Sequence, residues 1–261
     1  MQFVFVGGLH RSGTSLLHRL LRAHPAISGF TNTRAGEDEG QHLQSVYPRT
    51  STYGGPGRFA FDERAHFTEH SSLVSPTAGV ALFNDWRPYW DLSKPMLIEK
   101  SPPNLIRGRF LQTLFPAAKF IFIVRHPVPV SHSTQKWWPG QSESELVLHW
   151  LVAHDVFLED LPYLEHWAWL RYEDLVTKPE ATLQALFEFL DLSPIAPVEP
   201  VAGNIGIRYG SNSEPRSRLV RLFHGGSAVM MEHFGYQLEW PYFRPLPGEG
   251  SVITRRQQKQ C

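Results

Sequence analysis

The chain has 261 residues, enough for one large α/β domain with a sizeable core, and it is read as a single domain over 1–261. Lysine plus arginine equals aspartate plus glutamate at 25 each, so no overall field draws the chain to nucleic acid or to an acidic membrane, and any anion site must be local. The only cysteine, Cys261, excludes a disulfide framework, a cysteine zinc cluster and an interior thiol nucleophile, and makes a reducing compartment the expectation.

The opening MQFVFVGG has neither the basic n-region nor the apolar length of a signal peptide, and no later segment reaches the ~18 apolar residues of a membrane span. A soluble, cytoplasmic chain is expected, complete as a domain because Met1 leads almost directly into the first strand. Four apolar runs predict strands, at Phe3 to Val6, Met96 to Ile98, Phe120 to Val124 and Trp167 to Leu170, and their continuous apolar character points to parallel strands buried on both faces.

Helical patterns alternate with these runs. Thr14 to Ala23 places Leu16, Leu17, Leu20 and Leu21 on one stripe, and Leu105 to Phe115 repeats apolar residues at Ile106, Phe110 and Leu114. Ser142 with Glu145 and Thr177 with Glu180 both match the S/T-x-x-E capping box at the start of two further helices. Residues 51–95 mix glycine, proline and aromatics without steady periodicity and read as an excursion on the substrate side of the sheet. The tail over 245–261 reads as peripheral, its RRQQKQ as a solvated end.

The chemistry concentrates in VFVGGLHRSGTSLLHRLLRAHP, residues 4–25. A strand running through Gly7 and Gly8 into His10, Arg11, Ser12, Gly13, Thr14 and Ser15 at a helix start offers backbone N–H groups, hydroxyls and the positive helix end to a phosphate. Yet it is not a Walker A loop, because Arg11 precedes the last glycine and no lysine follows it. The apolar strand that would carry a metal-holding aspartate in an ATPase or kinase, FIFIVRHP, ends in Arg125 instead. Two arginines in these places suit a nucleotide with phosphates at two ends, neutralised by protein and not by metal.

These residues resemble the sulfotransferases that use 3′-phosphoadenosine 5′-phosphosulfate, and among them the tyrosylprotein sulfotransferases and their bacterial relatives. FVGGLHRSGTSLLHRLLRAHP is similar to the family's 5′-phosphosulfate loop, with arginine where the cytosolic small-molecule members have lysine. FPAAKFIFIVRHPVPVSHS resembles the strand and helix that hold the 3′-phosphate, which implicates Arg125 and Ser133. EKSPPNL resembles the segment whose lysine meets the transferring group, implicating Lys100, and LRYEDLVTKPEATLQALFEFLDL the segment whose tyrosine meets the adenine, implicating Tyr172. The four motifs come in family order, each at the carboxyl end of a predicted strand, where open parallel sheets bind ligands.

The resemblance implies a P-loop-like three-layer α/β fold, a central parallel β-sheet flanked by helices. It also implies transfer of a sulfuryl group from that co-substrate to a hydroxyl acceptor, leaving adenosine 3′,5′-bisphosphate, with no metal. Arg11 and Lys100 are expected to stabilise charge on the bridging and sulfuryl oxygens. Tyrosylprotein sulfotransferases carry Gly-Glu-Glu soon after the His-Pro that ends the first helix. Here His24-Pro25 is followed several residues later by GEDEGQH, so the base stays open among Glu37, Asp38 and Glu39, with Glu39 favoured, Glu37 next and His42 behind.

Arg208 and Tyr209 are candidates to close over the nucleotide, with a plain loop as the equal alternative. Trp137 and Trp138 are expected to pack or to line the cleft mouth. The 13 histidines show no metal-ligand spacing. The acceptor is a small molecule or a peptide, a phenol, a tyrosine or an alcohol, and neither nucleic acid nor membrane is an expected partner. Sequence leaves the oligomeric state open. Two other readings stand beside this one: a P-loop kinase using ATP and magnesium, and a nucleotide-binding protein without turnover.

Overall fold

The structure is a computed structural model that describes residues 1–197, 201, 226–236 and 252–255. Its centre is a sheet in the order β2-β3-β1-β4-β5-β6. The first five strands, β1 (Gln2–Gly7), β2 (Ile27–Gly29), β3 (Met96–Lys100), β4 (Lys119–Val124) and β5 (Trp167–Arg171), run parallel; β6 (Val252–Arg255) pairs antiparallel with β5. All four strands predicted from apolar runs are present. Two were not foreseen: β2 is only three residues long, and β6 lies inside the tail expected to be peripheral, where it forms an edge of the sheet.

Alternation along the strands makes two different faces. Phe3 and Phe5 of β1 and Phe120, Phe122 and Val124 of β4 turn to one layer, where Trp86, Trp90, Phe110, Trp150 and Phe157 meet them. Val4, Val6, Ile121 and Ile123 turn to the other, an aliphatic layer built with Leu17, Leu20, Leu21, Leu183 and Leu186. Helix α1 (Thr14–Arg22) belongs to this second layer through the leucine stripe its sequence announces.

The 51–95 excursion is mostly short 3-10 turns, but it also holds α2 (Ala78–Trp86), whose aromatic and small residues hide the helical period. Its Phe59, Phe67, Leu82, Trp86 and Trp90 are buried in the aromatic layer, so much of its aromatic character is core. The helix expected from Leu105 starts later, as α3 (Gly108–Leu114), because Pro102–Ile106 wind as a 3-10 turn and Arg107 breaks from helical geometry.

Helix α4 (Pro127–Gln135) follows β4, and α5 (Glu143–Asp160) opens with the complete Ser142/Glu145 capping box that its sequence predicts. The Thr177/Glu180 box does not form. Thr177 ends α6 (Tyr172–Thr177), its hydroxyl donating to Glu173 O at 2.7 Å, and α7 (Pro179–Phe189) begins at a proline. Proline lacks the N–H and suits the first helical position, which makes Lys178 the cap and shifts the start one residue past the pattern. A further helix spans Gly226–His233.

Candidate functional site

Strand β1 lies between β3 and β4, with Val6 opposite Lys100 and Gly7 opposite Phe122. The chain after β1 therefore emerges between the ends of β3 and β4, with β5 next along, and the four motifs converge at the carboxyl edge of the sheet. This is the switch point at which open α/β sheets bind ligands.

The loop from Gly8 to Gly13 needs its unusual backbone. Gly8 (φ 151°) leaves no room for a side chain, since a Cβ would run into the carbonyl oxygen of Ile123. Gly13 (φ 102°) would place a Cβ 2.5 Å from Cδ2 of Tyr172. Arg11 itself sits at φ 69°, a left-handed conformation that costs a non-glycine residue free energy and recurs at ligand-binding loops. Helix α1 then starts with no side-chain cap and no acidic residue in its first turn, so its N-terminal N–H groups and positive end remain for an anion. Ser12 Oγ and His10 Nδ1 are buried without a hydrogen-bond partner among the described residues. Orphaned donors around an uncapped helix start fit a bound phosphate-type group.

Arg125 and Tyr172 close one side. The Arg125 guanidinium lies 4.2 Å over the Tyr172 ring, and its Nη1 donates to Arg11 O at 3.0 Å. Arg11 turns the same way: its Nε donates to Ser133 Oγ at 3.0 Å and its guanidinium stands 5.4 Å from the ring of Trp137. The sequence pairs Arg125 with Ser133 and Arg11 with Lys100, whereas the structure puts the Arg11 side chain on Ser133. Trp137 and Trp138 do not pack into the interior; both are exposed, Trp137 beside this clamp.

Lys100 closes the other side and is fully buried. Its Nζ donates to Glu37 O at 2.7 Å and to Ser15 Oγ at 3.3 Å, and stands 3.5 Å from Glu39 Oε1. A buried ammonium needs such company, because an unpaired charge away from water is costly. The three acids of GEDEGQH separate by environment. Glu37 is exposed and accepts from Ser15 Oγ at 3.0 Å. Asp38 accepts from the N–H groups of Asn32 and Thr33 and from the Thr33 hydroxyl, and hydrogen bonds from Thr33 and Asn32 hold its carboxyl below the usual range despite partial burial. Glu39 is buried beside Lys100, with His42 Nε2 3.7 Å from its other oxygen.

Burial drives His10 down to about 4, the Glu39 carboxylate opposing and the Lys100 ammonium adding to the fall, so a neutral imidazole faces this centre at pH 7. Arg208 and Tyr209 lie outside the described residues. Two polar residues escaped the sequence reading. Glu99, next to Lys100, is fully buried at the end of the apolar run Met96 to Ile98, and burial pushes it up to about 7. Gln41 is equally buried. A carboxylate inside the run MLIEK is the signal that points to the first; Gln41, in a polar loop sequence, gave none.

A glycine loop, an uncapped helix start and cationic arms at the switch point of a parallel sheet define a P-loop-like α/β protein with a cradle for an anionic ligand. The chain belongs to the Sulfotransferase family, whose profile matches residues 3–196. It is 28% identical over 212 residues to the protein-tyrosine sulfotransferase of Drosophila melanogaster, a match covering 74% of this chain and 38% of that protein. Against protein-tyrosine sulfotransferase 2 of Gallus gallus it is 28% identical over 203 residues, covering 74% and 52%. The chain thus spans about half or less of the length of these relatives.

Among solved structures, the fold is shared with the sulfotransferase domain of the Synechococcus PCC 7002 olefin synthase, at TM-score 0.55 and 20% identity, covering 92% of this chain and 96% of that one. It is shared also with a sulfotransferase from Alicyclobacillus acidocaldarius, at TM-score 0.55 and 16% identity, covering 90% and 94%.

Proposed function

We propose that this chain transfers the sulfuryl group of 3′-phosphoadenosine 5′-phosphosulfate to the hydroxyl of a phenol, a peptide tyrosine or an alcohol. The observation that carries the reading is the convergence of a lysine-free phosphate loop with Lys100 on one flank and Arg125 and Ser133 on the other. The protein-tyrosine sulfotransferase relatives favour a tyrosine in a peptide or protein as acceptor. The near absence of cysteine supports action in a reducing compartment, the cytoplasm.

The co-substrate supplies the sulfuryl group, which gains a bond to the acceptor oxygen as its bond to the 5′-phosphate oxygen breaks and that oxygen keeps the electron pair. The chain's own residues position and neutralise. The loop N–H groups, Ser12, Thr14 and Ser15 cradle the 5′ end, and Arg125 with Ser133 holds the 3′-phosphate. Tyr172, packed on Gly13 and under Arg125, meets the adenine. Lys100 neutralises charge at the reacting end, aided by Arg11 once its guanidinium leaves Ser133. Glu39 takes the acceptor's proton at a carboxylate oxygen, Glu37 being the second choice.

The test is transfer of radiolabelled sulfate from 3′-phosphoadenosine 5′-[35S]phosphosulfate to a panel of tyrosine peptides, phenols and alcohols, with EDTA present. Labelled product that depends on Lys100 supports the reading. No labelled product from any class, together with magnesium-dependent ATP turnover, overturns it in favour of a kinase.

A further inference from the structure

A continuous polar chain runs through the interior behind Glu39. Glu99 Oε1 accepts from Ser101 Oγ at 2.6 Å and from the Gly40 N–H at 3.1 Å, while its Oε2 accepts from Asn104 Nδ2 at 2.6 Å. Ser101 Oγ in turn accepts the Gln41 N–H at 2.9 Å. The Gln41 side chain then uses both ends: Nε2 donates to Glu39 Oε2 at 2.6 Å, and Oε1 accepts from the N–H and the hydroxyl of Thr50 at 3.0 and 3.1 Å. Gly40 has no room for a side chain because a Cβ would strike the Glu99 carboxylate. Glu99, Ser101 and Gln41 are all fully buried.

Polar groups withdrawn from water are costly unless hydrogen-bonded, and a hydrogen-bonded network favours one geometry. Both Glu99 oxygens and both ends of the Gln41 side chain are bonded here, while Asn104 Oδ1 has no partner among the described residues. Here the network ends on one oxygen of one carboxylate. We propose that Gln41 is a positioning residue for Glu39, fixed by Thr50 on one side and by Glu99 through Ser101 on the other, so that Oε2 is pinned in one orientation. The proposal rests on Glu39 as the group that takes the acceptor's proton.

The groups facing Glu39 come from three elements. Lys100 approaches Oε1 from β3, His42 approaches Oε2 from the next turn, His10 acts from the loop after β1, and Glu99 adds a like charge from β3 when ionised. Gln41 is neutral and at 2.6 Å is nearer to Oε2 than His42 at 3.7 Å, so removing its donor frees that oxygen to turn.

The test uses the full chain with 13C-labelled glutamate, the Glu39 carboxyl resonance being assigned by its loss in Glu39→Gln. In Gln41→Met, which keeps length and loses the donor, the Glu39 carboxyl resonance at fixed pH is expected to move from its wild-type position because its 2.6 Å hydrogen bond is gone. In Gln41→Glu, which keeps an acceptor for Thr50 but turns the donor into an oxygen, the displacement is larger. With a tyrosine peptide as acceptor, kcat falls about tenfold, while KM and the affinity for adenosine 3′,5′-bisphosphate stay within about twofold.

An unmoved Glu39 carboxyl resonance with unchanged kcat in a folded variant overturns the proposal; if Gln41→Met does not fold, Gln41→Glu decides. A wild-type chain that transfers no sulfuryl group overturns the functional reading instead, while the resonance still decides whether Gln41 governs Glu39.

Discussion

Arg11 Nε donates to Ser133 Oγ at 3.0 Å, joining residues 122 apart in the chain and tying the glycine loop to the helix after β4. The arginine expected at the reacting end thus rests on the serine expected to hold the 3′-phosphate, and Arg125 fastens the backbone of the same arginine. In the proposed reading, ligand entry exchanges this contact for contacts to phosphate. Ser133→Ala removes a hydroxyl that would hydrogen-bond a charged phosphate, a loss of about 1.5–3 kcal/mol. Adenosine 3′,5′-bisphosphate is expected to bind at least tenfold more weakly, with ADP, which lacks the 3′-phosphate, little changed. Calorimetric titration of both ligands checks this; an equal loss for the two would remove Ser133 from the 3′ clamp.

Gly13→Ala brings two penalties, a left-handed φ of 102° and a Cβ 2.5 Å from the Tyr172 ring. Together they are expected to cost about 2 kcal/mol or more of folding stability. A drop in urea midpoint at unchanged slope is the readout. Tyr172→Ala in the same chain should return part of the loss, and an unaltered midpoint in the single variant would contradict the packing described.

Lys100 and Glu39 are buried together at 3.5 Å. Removing one partner of such a pair strands the other, at a cost of about 3–5 kcal/mol. Lys100→Met should therefore destabilise strongly, and adding Glu39→Gln should recover much of that loss while sulfuryl transfer stays absent. Additive destabilisation in the double variant would mean that the two charges do not couple.

Stability should fall in mild acid. Burial lowers His10 to about 4 and His18, His126, His149 and His154 to about 3 from 6.5, with Lys100 and Arg125 adding to the fall at His18 and His126. Below pH 6.5 the unfolded chain binds protons that the folded chain refuses, so the stabilisation is complete above 6.5 and is lost as pH falls toward 4 and 3, about 2 kcal/mol per histidine by pH 5. Glu99 and Glu173, raised by burial, act with the opposite sign, favouring the fold as pH drops toward the ordinary carboxylate range, but two groups oppose five. Urea midpoints that decrease from pH 7 to 5 are expected; a flat or rising trend would contradict the burial of these rings.

The sheet and the glycine loop after β1 were legible because each central strand is a continuous apolar run and because glycine spacing marks a strand-to-helix turn. What escaped depends on contacts distant in sequence. Strand β2 is held by pairing to β3 and carries too few residues to show a period. Helix α2 is coded by core aromatics that local pattern reads as loop, and the start of α7 is set by Pro179 against the Thr177 pattern. At the site, the acids of GEDEGQH look alike in sequence. Only the fold sends Asp38 into a turn, leaves Glu37 exposed and buries Glu39 against Lys100, and only the fold joins Gln41 to Glu99 through Ser101.

The central claim is that the loop after β1 and the arginine after β4 hold two separate phosphates of one nucleotide. Calorimetric titration with adenosine 3′,5′-bisphosphate, with ADP and with ATP plus magnesium, on the wild-type chain and on Arg125→Ala, tests it most directly. The account expects the bisphosphate to bind best without metal and to lose at least tenfold in the variant. Preference for ATP with magnesium, unaffected by Arg125→Ala, would contradict it.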